Sequence, residues 1–387
     1  MRVRHFPVLA LLVLMAAVAP VQSAPAGAIR FAFVSGITGP GAFVADMGRQ
    51  GVLLAVDEIN RRGGVLGRQL DVTIQDSKAN PIEAINTIRR LVTQDGFKFI
   101  IGPQTSSEVL AAIPVTRELQ VVTITTMSTN PAISQQQGRG GNPWMFRVNP
   151  PDDAMARAII KIAISQLGDR RIATVARNDD LGRGATTEFA KHTLGSGGVI
   201  TSTNFFTSGG TYDFSSTLTR LKQENPQAVV FVGTIEEGIP FVKQFAEQGL
   251  KARIYTRGVS ITDALYQALG PLVNGLHAVE PYFAEINTPG NREFVARFNA
   301  RWNRNPVFQA YMSYAAVYML AEAIQKAGTA DNQAAVRDQL TRVKLAGVTG
   351  DLVFDVFNQA HPNIYVGRVD CQGAQCRVTV IASAPSE

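Results

Sequence analysis

Residues 99–110 read F-I-I-G-P-Q-T-S-S-E-V-L, and this stretch limits the folds open to the chain more than any other. Three apolar residues (Phe99, Ile100, Ile101) stop at Gly102-Pro103. The hydroxyls of Thr105, Ser106 and Ser107 follow, and then Val109, Leu110 and Ile113 recur at helical spacing. A short all-apolar run fits a strand buried on both faces, as in a parallel sheet. The hydroxyls fit a helix N-terminus, where unpaired N–H groups carry partial positive charge. In an open α/β sheet that turn lies at the carboxyl end of a strand, a place suited to a carboxylate or phosphate. Taken alone, capping by Thr105 or Ser106 explains the hydroxyls. Residues 121–131, V-V-T-I-T-T-M-S-T-N-P, repeat the design, and two such strand ends side by side suggest a pocket wall.

The surrounding text keeps the same rhythm. Ile29–Ser35 predicts a strand ending at S-G-I-T-G-P-G, and a helix follows with Phe43, Met47, Val52, Leu53, Val56 and Ile59 on its apolar side, closed by Gly63-Gly64. A strand at 70–75 and a helix over about 81–95 complete a βαβα pattern, which predicts a parallel sheet covered on both faces. Residues 130–143 read as a polar loop and 147–153 (R-V-N-P-P-D-D) as a break. After a helix through Met155, Ile159, Ile160 and Ile164 the rhythm restarts. It predicts strands at 171–176, 198–205, 228–232 and 252–255, with helices near 184–194, 213–224 and 236–248. Long helices at 290–303, 308–327 and 331–343 and strands at 351–355, 363–370 and 376–382 follow, too unbalanced for a third domain. At 387 residues two α/β domains are expected, with the C-terminal region completing both.

The N-terminus reads as a leader rather than as fold. Arg2, Arg4 and His5 precede an apolar run from Val8 to Ala19, and small residues follow, with Ala24-Pro25-Ala26 of small-x-small form. A signal peptide over 1–26 is expected, without a lipid anchor because no Cys lies near it. No later stretch is long and apolar enough to span a membrane, so an exported, soluble protein is expected. Removing Arg2 and Arg4 lowers the formal charge from +6 to about +4, and the other basic residues are dispersed, which argues against nucleic-acid binding. Cys371 and Cys376, in D-C-Q-G-A-Q-C-R, predict a disulfide closing a hairpin loop. His5, His192, His277 and His361 are too scattered to complete a metal site, so no metal is expected.

Catalytic signatures are missing. There is no G-x-S-x-G elbow, Walker A loop, H-E-x-x-H or zinc-spaced Cys/His set, and the G-R-G-G-N-P of 138–143 follows no strand. The pairs Asp152-Asp153 and Asp179-Asp180 fall at helix starts or turns, where capping explains them. No cofactor is expected, and an exported hydrolase is the enzyme alternative.

Across nearly the whole chain after the leader, the sequence resembles the periplasmic branched-chain amino-acid-binding proteins, the Leu/Ile/Val-binding receptors of ABC importers. The similar stretches are G-I-T-G-P-G-A (36–42), A-V-D-E-I-N-R-R-G-G-V-L-G-R (55–68), I-I-G-P-Q-T-S-S, F-R-V-N-P-P-D-D, T-Y-D-F-S-S-T-L-T-R-L-K (211–222), V-E-P-Y-F (279–283) and Y-M-S-Y-A-A-V-Y-M-L-A-E-A-I-Q-K-A-G (311–328). The resemblance implies a type I periplasmic binding fold: two doubly wound parallel-sheet lobes joined by a three-segment hinge and closing on a ligand. The crossovers are expected near 147–151, 275–280 and 345–350. That puts 29–147 plus 277–345 in lobe 1 and 148–276 plus 346–387 in lobe 2. A periplasmic monomer that hands a small carboxylate-bearing ligand to a membrane ABC permease follows, with a soluble sensor for a membrane kinase or chemoreceptor as the alternative.

The resemblance also points to residues. The ligand carboxylate would meet Ser106, Thr129 and the backbone of Met127, with Thr105 and Ser128 beside them; Phe43 would be an apolar cover or simply helix core. On the other lobe an amino-acid receptor of this type places an acid to hold the ammonium, and here Arg257-Gly258 stands at that place. Leu181 and Ile235 stand where aromatic residues are expected. A buried ammonium without an acid is costly, so an aromatic, aliphatic or keto acid fits better than leucine or valine. Arg257 facing outward, or Asp180, Glu236 or Glu237 serving as the acid, would keep amino acids and amides open.

Overall fold

Five strands, β1 (Ile29–Ser35), β2 (Leu70–Asp76), β3 (Phe99–Ile101), β4 (Val122–Thr125) and β5 (Met145–Arg147), form a parallel sheet in the order β2-β1-β3-β4-β5. They belong to a computed structural model that describes residues 27–386; the expected leader at 1–26 lies outside the described residues. The connecting helices are α1 (Ala42–Arg61), α2 (Pro81–Thr93), α3 (Ser106–Glu118) and the short α4 (Pro131–Gln136). Strand β3 is buried on both faces, as its unbroken apolar run requires. It turns sharply at Gly102, where φ is +113° and an added Cβ would lie 2.1 Å from the Val34 carbonyl oxygen, so only glycine fits.

The second sheet repeats this order. Its parallel part runs β7-β6-β8-β9-β10, from β6 (Arg171–Arg177), β7 (Val199–Phe206), β8 (Ala228–Val232), β9 (Arg253–Arg257) and β10 (His277–Glu280). Helices α5 (Asp152–Lys161), α6 (Asp180–Gly195), α7 (Ser215–Glu224), α8 (Ile235–Glu247) and α9 (Asp263–Leu269) belong with it. The chain then forms α10 (Pro289–Trp302), α11 (Phe308–Ala327), α12 (Gln333–Leu340) and a detached hairpin of β11 (Lys344–Gly347) and β12 (Gly350–Val353). Two antiparallel strands, β13 (Ile364–Gln372) and β14 (Gln375–Ala384), extend the second sheet beyond β10. Their turn is closed by the expected disulfide, Cys371–Cys376, a cross-strand pair with Cα atoms 4.1 Å apart.

Helix α11 is apolar on most of its surface and packs on α1 of the first sheet. Glu58 of α1, 5% exposed, pins the pair by accepting from Tyr314 at 2.6 Å, Tyr318 at 2.9 Å and Arg297 Nε at 2.8 Å. A buried carboxylate is tolerable there because three donors satisfy it.

Strand pairing bears on two of the expected lobe boundaries. Residues 277–280 form β10 and pair with β9 and β13, so they belong to the second sheet and the chain crosses only after Glu280. Residues 354–360 lie on the edge of β5: Arg147 N–H donates to the Asn358 carbonyl at 2.9 Å and Ala360 N–H to that of Arg147 at 2.8 Å. The next strand, β13, pairs with the second sheet. Short pairing segments among turn residues have no periodicity of their own, so β5, β10 and β11 escape a pattern reading.

Candidate functional site

In a doubly wound sheet a crevice opens where successive crossovers run to opposite sides. The first sheet has this switch between β1 and β3, the second between β6 and β8, and the carboxyl ends at both switches face one cleft. The cleft occupies about 700 Å3, open solvent at its mouth included. From the first sheet it is lined by Ser35, Gln104, Thr105, Ser106, Met127 and Ser128; from the second by Arg177, Asp179, Leu181, Thr234, Arg257 and Gly258.

On the first wall local chemistry sets each position. Thr105 is the N-cap of α3: its N–H and hydroxyl meet Glu108 Oε2 at 3.0 and 2.7 Å, and its hydroxyl accepts from Glu108 N–H at 3.3 Å. This capping box leaves the N–H groups of Ser106 and Ser107 in the first turn, beside the cleft. Ser106 Oγ accepts from the N–H groups of Thr129 at 3.4 Å and Asn130 at 3.3 Å, which ties the two strand-end loops together. With its lone pairs so occupied, that hydroxyl has its proton left to donate. Met127 also lines the cleft; its carbonyl accepts from Asn149 at 2.9 Å and its methyl lies over Gly48 of α1. Ser128 Oγ bonds Thr125 Oγ1 at 3.0 Å.

Four expected site residues do not line the cleft. Thr129 is fully buried and its hydroxyl accepts from Arg257 Nη2, so it faces the opposite wall rather than the cavity. Ile235, the first residue of α8, turns into the core, and Gly233 and Thr234 line the cleft in its place. Phe43 lines a neighbouring cavity beside Met47 and Tyr266, while its N–H donates across the walls to Glu236 Oε1 at 3.2 Å. Asp180 offers its backbone: the carbonyl accepts from Asn130 Nδ2 at 2.5 Å, and the adjacent Asp179 lines the cleft.

The second wall is held by charge. Arg257 faces inward and is 4% exposed, which settles the open alternative of a surface position. Its Nε donates to Asp152 Oδ1 at 2.8 Å, and Asp152 is itself fully buried at the start of α5. Asp152 is thus more than a residue at a helix start. Gly258, with φ at +87° and room for no Cβ against the Gly233 carbonyl, lets the chain turn beneath the cavity. Asp179 caps α6 by accepting from Gly182 N–H at 3.1 Å and pairs with Arg177 at 2.7 Å. Glu237, fully buried, closes the α8 capping box through Thr234 N–H at 2.9 Å and accepts from Ser208. Burial raises the Glu280 carboxyl to about 8 against the pull of Arg257, so it is mostly neutral at pH 7.

Three cleft donors escape a reading of the sequence. Gln104 Oε1 accepts from Thr126 N–H and Oγ1, at 3.3 and 2.8 Å, leaving buried Nε2 without a protein partner. Ser35 Oγ at the end of β1 also lacks a hydrogen-bond partner, and Arg177 Nε makes no hydrogen bond but lies 3.9 Å from Glu237 Oε1 in an ion pair. Ser35 and Arg177 share one signal, a polar last residue on an apolar strand, and Gln104 stands inside the G-P-Q-T-S-S turn itself.

A family model described as periplasmic binding protein matches residues 28–375. A leucine-, isoleucine-, valine-, threonine- and alanine-binding protein of Pseudomonas aeruginosa is 31% identical over 336 residues, 86% of this chain and 87% of that protein. An ABC transporter substrate-binding protein from Sphaerobacter thermophilus has the same fold, with a TM-score of 0.84 and 26% identity over 92% of this chain and 98% of its own. A solute-binding protein of Rhodopseudomonas palustris in complex with 3,4-dihydroxybenzoic acid shares the fold at a TM-score of 0.82 and 22% identity, over 93% of this chain and 98% of its own. With two sheets of matching order around one cleft, and with these matches along most of its length, the chain belongs to the periplasmic binding protein family, whose members are solute receptors and not enzymes.

Proposed function

We propose that this chain is the extracytoplasmic receptor of an ABC importer and traps a small carboxylate-bearing ligand between two lobes, an aromatic, aliphatic or keto acid in preference to a branched-chain amino acid. The observation that carries the ligand class is Arg257, buried at the cleft where an ammonium-holding acid would otherwise stand. The nearby acids support the same reading. Asp179 and Glu237 are engaged by helix caps and Arg177 or Ser208, and Glu280 is mostly neutral at pH 7. Asp179, the acid that lines the cleft, is already paired with Arg177 at 2.7 Å, so an ammonium would have to share that carboxylate beside two arginines, which burial makes expensive. A carboxylate instead meets Gln104 Nε2, the Ser106 hydroxyl and the helix N–H groups beside it, all of which form charge-assisted bonds. Leu181 offers an apolar surface to the rest of the ligand.

The lobes, on this reading, are residues 29–147 with 281–360 and residues 148–280 with 361–386. Receptors of this family pass their ligands to ABC permeases, and no helix among the described residues is long and apolar enough to cross a membrane. A thermal-shift panel on the chain from residue 27 onward tests the ligand class. Benzoate, aliphatic acids and keto acids should raise the melting temperature, since a ligand at a hundredfold excess over Kd stabilises the bound form by about 2.7 kcal/mol. A shift with leucine or valine and none with the acids would overturn the assignment.

A further inference from the structure

Four charged side chains lie buried together behind the cleft floor: Arg147 at the end of β5, Asp152 at the start of α5, Arg257 at the end of β9 and Glu280 at the end of β10. Their exposures are 0%, 0%, 4% and 3%. Of the four only Arg257 also lines the cleft. Arg147 is spent elsewhere, donating to the Asn130 carbonyl at 2.8 Å, to Gln359 Oε1 at 2.6 Å and to Ser134. Arg257 uses Nε on Asp152 and one Nη2 proton on Thr129, which leaves three of its five N–H groups without a donor role in those bonds. Glu280 sits beside it on the adjacent strand and accepts from Gly258 N–H, the next residue of the cleft wall, at 3.3 Å. Two further titratable groups bear on the cluster: Tyr365, paired with Glu280 across β10 and β13, whose hydroxyl burial raises, and Asp355, whose charge acts on Arg147.

The charge balance of this cluster turns on one proton. Asp355 also acts on Arg147, so the two guanidiniums are balanced by Asp152 and Asp355 when Glu280 is neutral, and ionising Glu280 adds one negative charge beside Arg257. We propose that Glu280 is a proton-linked competitor of the ligand: neutral, it leaves Arg257 to attract an anionic group in the cleft, and ionised, it neutralises Arg257 from behind. The inference rests on the carboxylate reading of the ligand. With Glu280 near 8, the change falls just above neutral pH. Linkage is reciprocal, so a carboxylate that binds the protonated form better must also draw a proton onto Glu280 as it binds.

The test is calorimetric titration of the chain from residue 27 onward with benzoate at pH 6.5 and 8.5. Affinity should fall by roughly tenfold across this range, the factor that one unit of pKa coupling produces. At pH 8, titrations in two buffers of different ionisation heat should show proton uptake on binding, a readout that needs no variant. Glu280→Gln should bind with near wild-type affinity at pH 6.5 and lose the fall. Because that variant keeps Arg147, which burial lowers to about 9, the difference between the two proteins isolates Glu280. Benzoate binding that is flat with pH and takes up no proton overturns the Glu280 assignment and leaves the carboxylate reading intact. Leucine binding with none for benzoate overturns the carboxylate reading, and this inference falls with it.

Discussion

The two walls of the cleft are built from matching strand orders but by different chemistry. The first wall is neutral: a capping box, serine hydroxyls, a glutamine amide and backbone, all set within a few residues of the strand ends that carry them. The second is ionic, and its central pair joins residues 105 positions apart, Arg257 and Asp152. Neutral dipoles can hold an anion without a buried counter-charge, whereas a buried guanidinium is stable only while its partner is present. The first wall should therefore tolerate single changes that the second does not.

The largest expected effect follows from this difference. Asp152→Ala leaves Arg257 buried without the carboxylate it is hydrogen-bonded to, at a cost of about 3–5 kcal/mol in unfolding free energy measured with urea. A loss under about 1 kcal/mol would mean that the ionic pair does not sustain the second wall.

Next in size is the pH dependence of the second sheet. Burial lowers His277 of β10 to about 4, from an ordinary value of 6.5. A folded-state value that is depressed for a base means that the unfolded chain binds more protons between those limits. Stability should therefore rise from pH 4 to 6.5, by up to about 3 kcal/mol from this group. Urea midpoints at pH 4.5 and 7 for wild type and His277→Phe would measure it, and equal slopes in the two proteins would remove His277 as the cause.

Two substitutions sharpen the first wall. Ser106→Ala should weaken carboxylate binding by roughly tenfold, about 1–1.5 kcal/mol, if the proposed site is right, because the hydroxyl would donate to the ligand and also braces the Thr129 loop. Calorimetry that returned wild-type affinity would take Ser106 out of the site. Thr105→Ala should cost about 1 kcal/mol of stability as a lost cap while changing affinity less than twofold. Were affinity to drop as far as for Ser106→Ala, Thr105 would be a ligand group as well as a cap.

Much of this was legible before any coordinates. The all-apolar runs at 99–101 and 228–232 fall on strands, and the hydroxyl clusters after β3 and β4 stand at the cleft because strand, turn and helix cap are set by neighbours in sequence. Thr129, Ile235 and Phe43 were harder. Each lies next to a cleft-lining residue or at the edge of the cavity, and a rotation of one position at a strand end or a helix start decides which side chain faces in. Pattern alone does not fix that rotation. The membership of 277–280 and 354–360 escaped for a related reason: short segments join a sheet through backbone hydrogen bonds to distant strands.

By itself the sequence determined the α/β rhythm, the hydroxyl-rich stretches and the disulfide pairing, while only its resemblance to amino-acid receptors marked Arg257 as standing where an ammonium-holding acid is expected. The first three follow from local periodicity, capping chemistry and residue identity. Only the tertiary structure decided that Arg257 points inward, that Asp152 is its partner, and that Glu280 lies buried beside Arg257. Those three residues come from three separate elements of the chain, α5, β9 and β10. Their charges, pairings and protonation depend on which groups surround them once water is excluded, a property of the folded interior.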